Sequence, residues 1–118
     1  MPSTGFNGVH KLDVATIDSV VNETSPGVYV LTRKSVAETF YVNYVGRSDS
    51  DLNARLKQWA ATGKYTHFKA AYYSTAKAAF EKECTIFHDF GGLDNTNHPQ
   101  RPAGTSYDCP APGCDDLD

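Results

Sequence analysis

Two short runs rich in β-branched and aromatic residues, Val28-Tyr29-Val30-Leu31 and Phe40-Tyr41-Val42-Asn43-Tyr44-Val45, stand on either side of the polar stretch Thr32 to Thr39. Residues of this kind suit a pleated, half-buried surface, and a polar connection between two such runs reads as a hairpin. The pair commits the chain to antiparallel strand pairing.

The rest of the chain supplies helices. Gly46 to Ser50 reads as loop, after which Ser50 or Asp51 can cap a helix that carries Leu52, Leu56 and Trp59 on one face and ends near Gly63. A further strand is expected from His67 to Tyr73. Ser74 or Thr75 then caps a helix from Ala76 to about Asp89, stopped by Gly91-Gly92. Ahead of the hairpin, the first dozen residues are rich in Gly, Ser and Asn and are expected to fray. Val14, Ile17, Val20 and Val21 recur at helical spacing, and Ser25-Pro26-Gly27 ends that short helix. The order β-β-α-β-α belongs to the α+β class. With 118 residues the chain holds one core, divided here into an N-terminal extension with a short helix (1–25), a globular domain (26–97) and a tail (98–118). Pro99, Pro102, Pro110 and Pro112 exclude regular helix and central strand from the tail.

An apolar content of 40% with 21% charged residues is that of a globular protein, not a disordered one. No stretch approaches the roughly 18 apolar residues of a membrane span, and Met1 to Gly8 lacks the charged-then-apolar order of a secretory signal. Three cysteines leave one unpaired in any disulfide scheme, which points to a reducing compartment. The expectation is a cytoplasmic protein with no membrane association. A net charge of -3 is unfavourable for a partner rich in phosphate. Between Gly27 and Lys82, however, nine basic residues face four acidic ones, so the acidity lies outside that segment and partly in Asp115-Asp116-Leu117-Asp118.

Residues 100° apart on a helix place Ala76, Ala79, Phe80, Ile86, Phe87 and Phe90 on one arc, with Glu83 in its middle. A carboxylate on an apolar stripe costs several kcal/mol unless it is paired, protonated or bound to a cation. Glu83 is therefore either a metal ligand or acid-base group, or one half of a structural ion pair with Arg55 or a lysine. Arg55 lies beside the Leu52/Leu56 stripe, where its stem can pack while its planar fork of donors reaches a phosphate. An exposed helical arginine is the alternative. Tyr29 and Tyr44 suit strands as packing residues as well as for their hydroxyls.

Taken in order, Gly27-Val28-Tyr29, Tyr44-Val45-Gly46, an arginine one turn into a helix and a glutamate on the next helix resemble the GIY-YIG endonuclease superfamily, over about Pro26 to Asn97. The resemblance implies a small three-stranded antiparallel sheet flanked by helices and a metal-dependent nuclease acting on DNA. It implies that Tyr29 and Tyr44 orient or deprotonate the attacking water, that Arg55 holds the scissile phosphate and that Glu83 binds Mg²⁺ or Mn²⁺. The family's later asparagine is matched by Asn95, with Asn97 close behind. Many members carry a histidine one turn after the arginine, where this chain has Trp59; His67 is a candidate substitute. A tyrosine is a poor base unless a cation lowers its pKa, and Arg47, directly after Tyr44-Val45-Gly46, is the sequence candidate for that cation.

The sequence also offers a second metal site. Cys84 and His88 are i, i+4 on one helix, and Cys109 and Cys114 flank a tight turn, so the four make a Cys₃His set of the kind that holds structural Zn²⁺. The other reading is a buried thiol, an exposed histidine and two tail cysteines. With no recognisable DNA-reading module, specificity is expected from loops such as Thr32 to Thr39, from DNA structure or from a protein partner. The competing function is a non-catalytic module that binds nucleic acid or protein on the same fold, and a weaker one is an enzyme acting on nucleotides.

Overall fold

The computed structural model describes residues 6, 8–33, 35–36, 39–40, 42–90, 93–95, 99, 104–105, 107 and 109–110. In chain order the elements are β1 (His10–Lys11), α1 (Val14–Val20), β2 (Gly27–Thr32), β3 (Ser35–Val36), β4 (Thr39–Phe40), β5 (Tyr44–Ser48), α2 (Leu52–Thr62), β6 (His67–Tyr72) and α3 (Ala76–Asp89). The hydrophobic run Val28–Leu31 becomes the centre of the sheet, and every residue of β2 is buried. β2 pairs antiparallel with β5 on one side and β6 on the other, and β6 pairs antiparallel with β1, giving the order β1-β6-β2-β5.

The α+β expectation therefore holds, with four strands in the main sheet where three were expected. The extra strand comes from His10-Lys11, expected to fray. These residues pair with Phe68 and His67, and the Leu12 N–H donates to the Thr66 carbonyl at 2.9 Å. Two residues are too few to show a period, so only their tertiary partner identifies them as a strand. The run Phe40 to Val45 also divides. Thr39–Phe40 pairs with Ser35–Val36 in a separate two-stranded ladder, while Tyr44 begins β5. β5 then continues through Gly46, Arg47 and Ser48, expected as loop, because these residues pair with Tyr29, Val28 and Gly27. Pairing with a buried central strand overrides the weak β preference of Gly-Arg-Ser.

Alternation along β2 sends Tyr29 and Leu31 to one face and Val28 and Val30 to the other. On the first face they pack with Leu12, Ile17, Val21, Leu52, Leu56, Tyr65 and Phe68, under α1 and α2. On the second they pack with Phe6, Val45, Ala79 and Ile86, under α3. The sheet is thus a middle layer between helices. Among the capping candidates, Asp51 accepts the Ala54 N–H at 3.0 Å and Thr75 accepts the Ala78 N–H at 3.0 Å, so Ser50 and Ser74 are not the caps. Gly63 closes α2 with φ 68°, a left-handed conformation open to glycine at little cost. Among the described residues no helix is long and apolar enough to cross a membrane.

Candidate functional site

Tyr29 and Gly46 face each other across the β2–β5 ladder. A Cβ on Gly46 would lie 2.3 Å from the Tyr29 hydroxyl oxygen and equally close to the ring carbon that bears it. Glycine is what lets the tyrosine lie across the edge strand. Tyr44, two residues earlier on β5, presents the same face, and its ring stacks 6.5 Å from that of Tyr29 at 23°. α2 brings Trp59 over both: its Nε1–H donates to the Tyr29 hydroxyl at 2.8 Å, and its ring lies 4.7 Å from that of Tyr44. Arg55, one turn earlier on α2, is exposed, and the weak 3.4 Å contact of its Nη1 with Gln58 Oε1 leaves its charge unspent.

Glu83 approaches from the opposite layer. It is 8% exposed on α3, as the apolar arc predicts, alongside buried Ala79, Phe80 and Ile86. Its partner is Arg47, neither Arg55 nor a lysine. Arg47 Nη1 donates to Glu83 Oε1 at 2.7 Å, Nε donates to Asp49 Oδ1 at 2.7 Å, and the guanidinium sits 5.4 Å from the Phe80 ring centroid. Arg47 can do this because it is on β5 next to Gly46, so its side chain takes the α3 face while Tyr44 takes the α2 face. Burial pushes the Glu83 carboxyl up to about 7, against the opposing pull of Arg47 and, more weakly, Arg55.

Tyr29, Tyr44, Arg55 and Glu83 share one electrostatic neighbourhood, since the charges of Arg55 and Glu83 act on both tyrosines. Burial, the largest influence, raises the pKa of Tyr29 and of Tyr44, and Glu83 raises both further. The expectation that Arg47 would acidify a tyrosine is therefore corrected. Arg47 is turned to Glu83 and Asp49, and the cation that does act on the phenols, Arg55, is outweighed by desolvation. Both hydroxyls stay protonated near neutrality and can position a water by hydrogen bonding, without phenolate basicity.

The remaining sequence candidates separate. The carboxamide of Asn95 is engaged by one strand residue: Val45 N–H donates to its Oδ1 at 3.0 Å and its Nδ2 donates to the Val45 carbonyl at 2.8 Å. Asn95 thereby clamps the free edge of β5 between Tyr44 and Gly46, a positioning role; Asn97 lies outside the described residues. His67 opens β6, across β2 from the edge strand, with its Nδ1 2.9 Å from Thr66 Oγ1. It is not brought to the tyrosines. Cys84 is fully buried, while His88 is exposed with its ring centroid 5.3 Å from that of Phe87 in an edge-on arrangement. Cys109 is half-buried, and Cys114 lies outside the described residues. Among the described residues no three His, Cys, Asp or Glu side chains gather to hold a metal ion.

Beside Tyr44 lies an open cleft of about 480 Å³ lined by Arg33, Tyr44, Trp59, Lys64, Tyr65 and Asp94. Asp94 organises its rim, accepting from the Tyr65 hydroxyl at 2.7 Å and pairing with Arg33, while its N–H donates to the Asn43 carbonyl at 2.6 Å. Nothing in the sequence singles out Arg33, Tyr65 or Asp94. No local pattern marks them, because they meet across 29 and 61 residues of chain. Comparison with family models, curated proteins and solved structures returned no match to this chain.

Proposed function

We propose that the chain is a divalent-metal-dependent endonuclease of the GIY-YIG type, acting on phosphodiester bonds in DNA in an intracellular setting. The observation that carries this reading is a buried glutamate, Glu83, held within electrostatic reach of Tyr29 on the central strand, Tyr44 on the edge strand and an exposed arginine. Those four residue types, in the same order, are what the sequence resemblance names.

The donor set suits a hard cation. Glu83 Oε1 is engaged by Arg47, and a divalent ion held by this carboxylate would offset the desolvation that pushes the group toward protonation. Glu83 would hold Mg²⁺ or Mn²⁺, which when bound supplies positive charge to the phosphate and the leaving oxygen. Arg55 neutralises charge on the non-bridging phosphate oxygens. Tyr44, half-buried and facing the cleft, orients the attacking water through its hydroxyl. Tyr29, saturated by Trp59 on one side and packed over Gly46, fixes the position of that face. Trp59, where many members of the resembled family carry a histidine, contributes an indole donor to Tyr29 and no base. Specificity would then come from nucleic-acid structure or a protein partner.

A second reading rests on Arg47. A buried ion pair of 2.7 Å already accounts for Glu83 without a metal, as a non-catalytic binding module on this fold would need. Nicking of supercoiled plasmid with Mg²⁺ or Mn²⁺ separates the two, with wild type beside Glu83→Gln and the folding of both checked by circular dichroism. Cleavage by the wild type alone supports the nuclease; cleavage by neither, with both folded, supports the binding module.

A further inference from the structure

The cleft beside Tyr44 is built from features that recur where a protein grips an unpaired nucleobase. Its wall is a cluster of three aromatic rings, with Trp59 4.7 Å from Tyr44 and 5.5 Å from Tyr65, and Tyr44 6.2 Å from Tyr65. Trp59 and Tyr44 are only partly buried, so part of each ring remains available to a ligand. Two cations stand at the mouth: Lys64 is exposed, and Arg33, with a side chain 51% exposed, lies 5.7 Å from the Tyr65 ring centroid. Asp94 is the single carboxylate of the lining, so the mouth keeps a positive excess and an acceptor.

We propose that this cleft binds one unpaired base of a nucleic-acid strand, stacked on Trp59 and Tyr44, with Arg33 and Lys64 on the flanking phosphates. The proposal rests on the nucleic-acid reading above but not on cleavage. Its size is that of a site for a small planar group, at the lower-middle of the range of about 300–1,000 Å³ for ligand pockets. Its chemistry is that of single-strand binders, in which every base offers a π-face to an aromatic ring and cations follow the backbone. A polypeptide side chain would not need two cations at the mouth, and a duplex with all bases stacked offers no free base to the rings. Because Tyr44 lines both cleft and proposed active site, a base seated here fixes the register of the strand relative to Glu83 and Arg55.

The chain contains a single tryptophan, so its fluorescence reports this cleft directly. The full chain is titrated in EDTA, so that cleavage cannot occur, with three probes: a short oligodeoxythymidine, an abasic phosphodiester strand of the same length, and thymidine monophosphate. The expected result is quenching of Trp59 by the base-bearing strand, with affinity about tenfold above the abasic strand, within the range one stacked base contributes. The Lys64→Ala and Arg33→Ala variants, both altered at exposed positions, are expected to weaken both strands alike, leaving that ratio unchanged. Equal affinity for the two strands without quenching overturns base binding. Equal affinity for the mononucleotide and the oligomer overturns the assignment to a strand. A chain that shows base-dependent quenching but never nicks plasmid keeps this inference and loses the nuclease reading.

Discussion

Glu83 carries the strongest single-residue consequence of the fold. Its carboxyl is held up to about 7 by burial, well above its ordinary 4.5. A folded-state pKa above the unfolded value means that the native state holds the proton more tightly. The contribution to stability is then fully present below about 4.5 and is lost as pH rises through about 7, amounting to ~3 kcal/mol at most. The midpoint of urea unfolding is expected to fall between pH 5 and 8 in the wild type and to stay flatter in Glu83→Gln; equal slopes would refute the assignment. Mn²⁺ affinity should run the opposite way, strengthening as pH rises through about 7, because only the carboxylate binds a cation. Gly46 is the second residue whose chemistry is dictated by a neighbour. In Gly46→Ala the new methyl meets the Tyr29 hydroxyl and ring at 2.3 Å, a clash with a buried, rigid group expected to cost ~2 kcal/mol. Combined with Tyr29→Val, which removes the ring, the two substitutions should cost clearly less than their sum.

At the scale of elements, α2 and α3 were legible because each carries its own signals: a capping side chain, an apolar face at helical spacing, and for α2 a closing Gly63. Removing the Asp51 cap should cost ~1 kcal/mol, read as a shift of the thermal midpoint in Asp51→Ala. Glu83 was legible for the same reason, since a charge on an apolar stripe is visible in one helix. β1 and the second half of β5 were not legible, because a two-residue strand and a Gly-Arg-Ser segment acquire strand geometry only from β6 and β2. The partner of Glu83 was missed as a direct result: Arg47 read as loop could not be assigned a face, whereas on β5 it must face α3. The role of Asn95 also belongs to an element. Its carboxamide supplies Val45 with the donor and acceptor that a further strand would otherwise provide. Asn95→Ala is expected to destabilise the chain by ~1–2 kcal/mol, two hydrogen bonds at about 1 each. The Val45 amide should exchange with deuterium faster while amides of β2 hold; unchanged exchange at Val45 would exclude the clamp.

For the molecule as a whole, the question is how a chain with net charge -3 could hold a polyanion. The basic excess of the central segment is an overcount, because three of its nine cations already have carboxylate partners: Arg47 with Glu83 and Asp49, Lys57 with Asp18 at 2.6 Å, and Arg33, whose side chain stays half exposed, with Asp94. Among the described residues Arg55 has no carboxylate partner, and it stands on the same neighbourhood of charge as Tyr29, Tyr44 and Glu83. Phosphate binding should thus depend on few side chains, Arg55 beside the tyrosines and Lys64 with the exposed part of Arg33 at the cleft, and the salt dependence should be shallow but sensitive to each. Counterion release makes the slope of log K against log salt about -0.9 for every duplex phosphate neutralised. Arg55→Ala is expected to reduce that slope by ~1 and to weaken binding of a short duplex uniformly across sequences, measured in EDTA by fluorescence anisotropy between low and moderate salt. Glu83→Ala should act in the opposite direction, strengthening binding without reducing the slope, because it removes a carboxylate from that neighbourhood of charge and frees one donor of Arg47. An Arg55→Ala slope equal to wild type would place the phosphate elsewhere and take the proposed active site with it.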